Sequence, residues 1–270
     1  MAQAWQECGI NRVSLGVQSF VQKELARTGR KHTTEIVERE IEMLRAAGID
    51  SINVDLIAGL PGQTGASFRE SLDWVERLAA PHVSVYMLEV DQDSRLGREL
   101  LVLGSRYGAA NVPDEDAIAD FYELAVERLE RMGMARYEIS NFARPGFESR
   151  HNLKYWKREP YLGFGSDAHS FGGTERWQNP ESAAEYVANP RATLRTPADP
   201  LAETYFLGLR LREGVEAGPF ENAFPDAVQR FTRDGLLERA GERIRLTPRG
   251  VMLSNEVFAE FMGTGVISSK

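Results

Sequence analysis

Residues 151–156 read HNLKYW. An imidazole stands there beside an amide and two large aromatics, and a further histidine, His169, follows in YLGFGSDAHS. The flanking SNFARPGFESR and KREPYLGFG are rich in Gly, Pro and charge, so the segment reads as a loop. Imidazole is a common metal ligand, and aromatic rings cover flat apolar surfaces. Such a loop suits a flat, apolar, metal-containing ligand. The same residues also suit a hydrogen-bonded loop histidine with Tyr155 and Trp156 anchoring the loop from below. His32 and His82 read as structural.

A second set of polar residues falls at strand ends. RVSLGVQ (12–18), SINVDLI (51–57) and HVSVYMLE (82–89) alternate in period two, and Gln18, Asp55 and Glu89 fall at or near their carboxyl ends. In parallel α/β sheets, ligands bind at those ends. Three successive strands carrying a polar group there point to a site, although any one of them, such as Asp55 capping backbone amides, could be structural.

The elements that position these groups follow a repeating pattern. After the first strand, TTEIVEREIEMLRAA (33–47) carries Val37, Ile41 and Leu44 at helical spacing, with Gly48 at the C-terminal cap. GLPGQT follows the second strand, with Thr64 placed to cap a helix over 65–79 whose apolar stripe is Phe68, Leu72 and Val75. A long amphipathic helix is expected over 113–132 and a fourth strand over ARYEI (135–139). Strand–helix alternation with short links makes the strands parallel. An open sheet and a barrel both satisfy this pattern. AWQECG reads as the last turns of a helix ending at Gly9, and a parallel strand at 12 without an upstream partner reads as a chain beginning partway through a domain.

From about residue 175 the pattern changes. Short helices are expected over 180–188 and 199–212, then a helix at about 224–234, a hairpin at 236–247 and a last helix to about 262. We therefore divide the chain into an α/β domain over 1–175 and a helical, winged-helix-like domain over 176–270. The recognition-helix position carries Asp226, Arg230, Arg233 and Asp234, a mixed surface that does not favour DNA.

Composition narrows the function. The net charge is −8, which argues against tight non-specific nucleic-acid binding. A basic cluster of Arg144, Arg150, Lys154, Lys157 and Arg158 surrounds HNLKYW and reads first as a solvated surface. No apolar run approaches a membrane span, and no signal peptide is evident, so a cytoplasmic setting is expected. Cys8 is the single cysteine, which excludes an internal disulfide and fits a reducing compartment. An open parallel edge strand favours pairing, so a homo-oligomer is one partner option.

Six blocks in order carry a resemblance: GVQSF (16–20), ELARTGRKHT (24–33), VDLIAGLPGQT (54–64), YEISNFARPG (137–146), HNLKYW and YLGFGSDAHS (161–170). Together they resemble the oxygen-independent coproporphyrinogen III oxidase-like family of radical S-adenosylmethionine proteins, over nearly the whole chain. HNLKYW after YEISN points to its heme-chaperone branch. The resemblance implies a (β/α)6 partial barrel of the radical SAM type, N-terminally truncated here, with S-adenosylmethionine, heme and a [4Fe–4S] cluster as cofactors. By motif position, Gln18, Arg30 and Asp55 hold S-adenosylmethionine: Gln18 and Asp55 at ribose hydroxyls or the methionyl amine, Arg30 at a carboxylate. The main chain at Leu88–Glu89 falls where the family contacts adenine. His151 becomes the heme-iron ligand, with Tyr155 and Trp156 lining the porphyrin and Asn152 orienting the ring; His169 is second choice.

This sequence also departs from the family. The CxxxCxxC segment that seats the cluster is absent, and Cys8 alone cannot replace about three or four thiolates. The expectation is a truncated, cluster-less chain without radical turnover and with weakened S-adenosylmethionine binding. Ser166-Asp167 stands where relatives often carry a small residue followed by glycine, and Asp167 could pair with Arg150 or Lys154. Three readings stand: a heme-binding chaperone that delivers heme to acceptor proteins, a coproporphyrinogen III dehydrogenase whose cluster lies outside these residues, and a fold without a ligand.

Overall fold

The computed structural model describes residues 1–27, 30, 32–89, 96, 98–99, 102, 106–190 and 193–261. The chain forms two compact units, Met1–Glu148 and Ser149–Lys270.

In the first unit, helix α1 (Ala2–Glu7) precedes strand β1 (Arg12–Gln18), helices α2 (Gln22–Arg27) and α3 (Thr34–Ala46), strand β2 (Ser51–Ala58), helix α4 (Gly65–Leu78) and strand β3 (His82–Met87). A 3-10 turn at Arg106–Asn111 leads to helix α5 (Glu115–Arg131), strand β4 (Ala135–Arg136) and strand β5 (Asn141–Ala143). The sheet order is β1-β2-β3-β5-β4. β1, β2 and β3 run parallel, as their alternation predicts. One face of β2, Ile52, Val54 and Leu56, is fully buried. The helices add Val37, Ile41, Leu44, Phe68, Leu72, Val75, Phe121 and Leu129 to that layer, each burial being worth roughly 1.5–3 kcal/mol. Phe68 stacks on Phe121 with centroids 5.8 Å apart. Thr64 caps α4 in a reciprocal box with Ser67.

The fourth strand departs from the parallel pattern. β4 covers only Ala135–Arg136, and β5 inserts between it and β3, antiparallel to both. The reason lies in YEISN: Glu138 accepts from the Ser140 amide at 3.0 Å and from the Asn141 side chain, turning the chain back before ARYEI can extend.

The second unit opens with helix α6 (Arg150–Trp156), so HNLKYW is helical and not a loop. The antiparallel sheet β6 (His169–Phe171), β7 (Glu175–Gln178) and β8 (Leu194–Pro197) follows, with helix α7 (Ala183–Ala188) between its last two strands. Helix α8 (Pro200–Gly208), strand β9 (Val215–Glu216), helices α9 (Ala217–Ala223) and α10 (Pro225–Arg233), hairpin β10 (Leu237–Ala240) and β11 (Arg243–Leu246), and helices α11 (Pro248–Met252) and α12 (Ser254–Phe261) complete it. The hairpin forms as expected, and β9 adds a third strand beside β11. Its core is aromatic: Phe220 packs against Tyr205, Phe224 and Phe261 with centroids 4.5–6.1 Å apart.

Candidate functional site

The face of the sheet opposite the helix layer is polar. Register places Ser14 beside Asn53, Asn53 beside His82, and Asp55 beside Ser84. Asn53 Nδ2 reaches Ser14 Oγ at 2.7 Å, Asp55 Oδ1 at 2.6 Å and Ser84 Oγ at 3.0 Å. Asp55 Oδ2 accepts from Ser14 at 3.1 Å. Ser84 donates to Asn141 Oδ1 at 2.8 Å. His82 Nδ1 meets Asn53 Oδ1 at 2.6 Å and its Nε2 meets the Tyr137 hydroxyl at 2.8 Å. Sequence reasoning set His82 aside as structural and missed its place in this wall. The period-two alternation that aligns Asn53 with Asp55, and His82 with Ser84, was the available signal.

Burial first, and the charge of Arg12 second, depress the His82 imidazole from 6.5 to about 3. It is neutral in the fold, whereas in the unfolded chain it takes a proton near its ordinary value. The folded value is the lower one, so this contribution is complete above 6.5 and is lost as pH falls from 6.5 toward 3. Between pH 7 and pH 5 we expect a loss of about 2 kcal/mol in urea unfolding. A His82→Gln chain should lack that increment, and an identical slope in the variant would place its origin elsewhere.

Gln18 ends β1 in the left-handed region, φ 69°. Register sets it beside Leu56, the neighbour of Asp55, across an irregularity in the β1–β2 ladder. Arg30 Nη1 donates to the Gly16 carbonyl at 3.0 Å. A Cβ on Gly16 would lie 3.1 Å from Gln18 Nε2 and 3.4 Å from Arg30 Nη1, so the missing side chain leaves room beside both. Gln18 and Arg30 thus meet at Gly16, and Asp55 stands on the adjoining strand with its oxygens held by Ser14 and Asn53. Glu89 is exposed just past β3, where the Leu88 amide donates to Ala58 at 2.8 Å. An amide and a guanidinium beside a bare glycine, with a carboxylate on the adjoining strand, are groups of the kind that could hydrogen-bond an amine, a carboxylate and hydroxyls. The cluster does not fit these residues: the chain has one cysteine, exposed Cys8, and among the described residues no group of three or more His, Cys, Asp or Glu could hold a metal.

The second cluster surrounds α6. Ser149 caps it, accepting from the Asn152 amide at 3.3 Å. At its end Arg158 takes φ 53°, with its amide on Tyr155 at 3.1 Å and the Glu159 amide on Lys154 at 2.9 Å, a left-handed cap without glycine. Glu203 on α8 holds that arginine: Arg158 Nε and Arg176 Nε each reach it at 2.9 Å, and both guanidinium groups lie over the Phe171 ring, 4.9 and 4.6 Å from its centroid.

α6 brings His151 and Tyr155 together and sets Trp156 apart. His151, exposed, has Nε2 2.9 Å from the Tyr155 hydroxyl. Tyr155 meets His151 and Tyr161 edge-on at 4.9 and 4.6 Å. Trp156 lies under the Arg210 guanidinium, 4.3 Å from the indole centroid, its buried indole nitrogen without a hydrogen-bond partner among the described residues. It lines a groove of about 340 Å³ with Tyr205, Leu211, Val215 and Pro219, to which neither His151 nor Tyr155 contributes. Spacing explains the split: four residues return to one helix face and five do not. His169 is exposed at the start of β6. Asp167 accepts from Gln178 at 2.6 Å, where pairing with Arg150 or Lys154 had been an option. His32 Nε2 reaches the Val17 carbonyl at 3.0 Å, as a structural histidine does.

The parallel strands, their polar wall and the groups around Gly16 lie largely within a segment that matches a family of the radical SAM type. Residues 1–75 match the Radical SAM superfamily model and residues 196–253 match the HemN C-terminal domain. The fold is similar to that of the Escherichia coli coproporphyrinogen III oxidase HemN, a radical SAM enzyme, with TM-score 0.77 at 21% identity, covering 96% of this chain and 66% of that one. The heme chaperone HemW of Bacillus subtilis is 34% identical over 96% of this chain and 71% of its own length; that of Mycobacterium tuberculosis (strain H37Rv) is 36% identical over 94% and 66%. The chain belongs to the HemW family. Among the described residues, no helix is long and apolar enough to cross a membrane.

Proposed function

We propose that this chain is a heme-binding chaperone that holds heme at α6 and passes it to heme-accepting proteins in the cytoplasm. The observation that carries the reading is the position of His151: an exposed imidazole on a capped helix, backed by Tyr155 and Tyr161, inside a family named for heme delivery. His151 would hold the iron, and Tyr155 and Tyr161 would supply apolar contact to the macrocycle. Leu162 and Phe164, exposed by 66% and 84%, follow Tyr161 directly and offer further apolar surface.

Gln18, Arg30 and Asp55 are the residues that would bind S-adenosylmethionine, with the main chain at Glu89 toward the adenine. When reduced by a cluster, that cofactor supplies a radical. These 270 residues carry too few thiolates to seat one. No radical step is therefore derived for them, and coproporphyrinogen dehydrogenation is the weaker reading. Hemin titration of the purified chain tests the proposal. We expect a saturable Soret change at one equivalent, and a linear, non-saturating response would refute it.

A further inference from the structure

Resting on the reading of His151 as the heme-iron ligand, we propose that Tyr155 caps the iron-binding nitrogen of His151, and that this cap weakens the hold on heme enough for it to be passed on. Tyr155 is then a positioning residue for heme release. Tyr155 stands one helical turn after His151, with its hydroxyl oxygen 2.9 Å from Nε2. The rings meet at 88°.

A tyrosine phenol carries its hydroxyl hydrogen at neutral pH and can donate it. A neutral imidazole that accepts at Nε2 carries its own hydrogen on Nδ1. The lone pair engaged by the phenol is then the one that iron needs. Binding heme at Nε2 requires the phenol hydrogen to turn away to water, and releasing heme lets it return. The edge-on contact with Tyr161, 4.6 Å between centroids, keeps the phenol beside the imidazole when the bond opens. A protein that stores heme gains from an unopposed ligand. One that hands heme over gains from a competitor covalently tied to the same helix.

Tyr155→Phe removes the hydroxyl and keeps both ring contacts. One net hydrogen bond corresponds to roughly a 2- to 10-fold change in affinity. In hemin titrations the variant should bind tighter by that factor and transfer hemin to apomyoglobin more slowly. The heme-free protein gives an independent readout. Nitrogen-15 NMR should find wild-type His151 with its hydrogen on Nδ1, and Tyr155→Phe should shift it toward the Nε2–H form of free histidine. A wild-type His151 already protonated at Nε2 would overturn the cap, whether or not the variant folds. So would Tyr155→Phe binding hemin equally or more weakly while His151→Ala loses binding. If His151→Ala binds hemin like wild type, the reading of the iron ligand falls first and takes this inference with it.

Discussion

Replacing His151 with alanine should lower hemin affinity by on the order of 100-fold or more, since loss of a ligand exceeds the 10- to 100-fold cost typical of losing a group that merely orients one. The Soret band of whatever complex remains should move to the position of weakly bound hemin. Stability should hardly change, because His151 is exposed and its one described side-chain hydrogen bond is to half-buried Tyr155. That split separates a ligand from a packing residue: a helix anchor would lose melting temperature and heme together. His169→Ala is the internal comparison. His169 is also exposed but begins a strand, paired in register with Gln178 and without an aromatic backing in the described contacts. It should retain wild-type affinity. Equal losses in both variants would mean that neither imidazole is specific.

Glu203→Ala should destabilise the second unit by about 3–5 kcal/mol, because it strips the shared carboxylate from two arginines already packed on Phe171. Burial alone would raise the Glu203 carboxyl, but the hydrogen bonds from Arg176 and Arg158 outweigh it and hold the group below its ordinary value. The folded value is the depressed one, so this stabilisation is complete above the ordinary carboxylate range and fades as pH falls through it. Urea unfolding at pH 7 measures the loss. Glu203→Gln, which keeps shape and part of the hydrogen bonding, should fall between. A change below about 1 kcal/mol would show the cluster to behave as an exposed ion pair. Because Arg158 forms the left-handed cap of α6, the alanine variant should also fray the helix that carries His151.

What the sequence displayed and what it hid follow from range. The alternation of Ile52, Val54 and Leu56, the helical stripe of Phe68, Leu72 and Val75, and the Thr64 cap depend on neighbours a few residues away, and each was legible. Gln18, Arg30 and Asp55 were singled out from motif position, and that Gln18 and Arg30 both lie beside Gly16 is visible only in three dimensions. Helix α6 was hidden because seven residues between proline- and glycine-rich flanks have little intrinsic helicity. Its cap is completed by Glu203, 45 residues away along the chain. The reversal at Glu138 and Asn141 was hidden for a similar reason: YEISN alternates well enough for a strand, and only the side-chain bonds of Glu138 turn it. Trp156 was grouped with His151 because they share a six-residue motif, whereas helical geometry sends it to Arg210.

Heme transfer tests the central claim most directly. The chain, loaded with one equivalent of hemin and freed of excess by gel filtration, is mixed with apomyoglobin and followed by the myoglobin Soret band. A chaperone should give complete transfer in a single phase, with His151→Ala failing to carry hemin through the column. A wild-type chain that emerges without hemin, or that keeps it indefinitely against apomyoglobin, would contradict heme delivery by this protein.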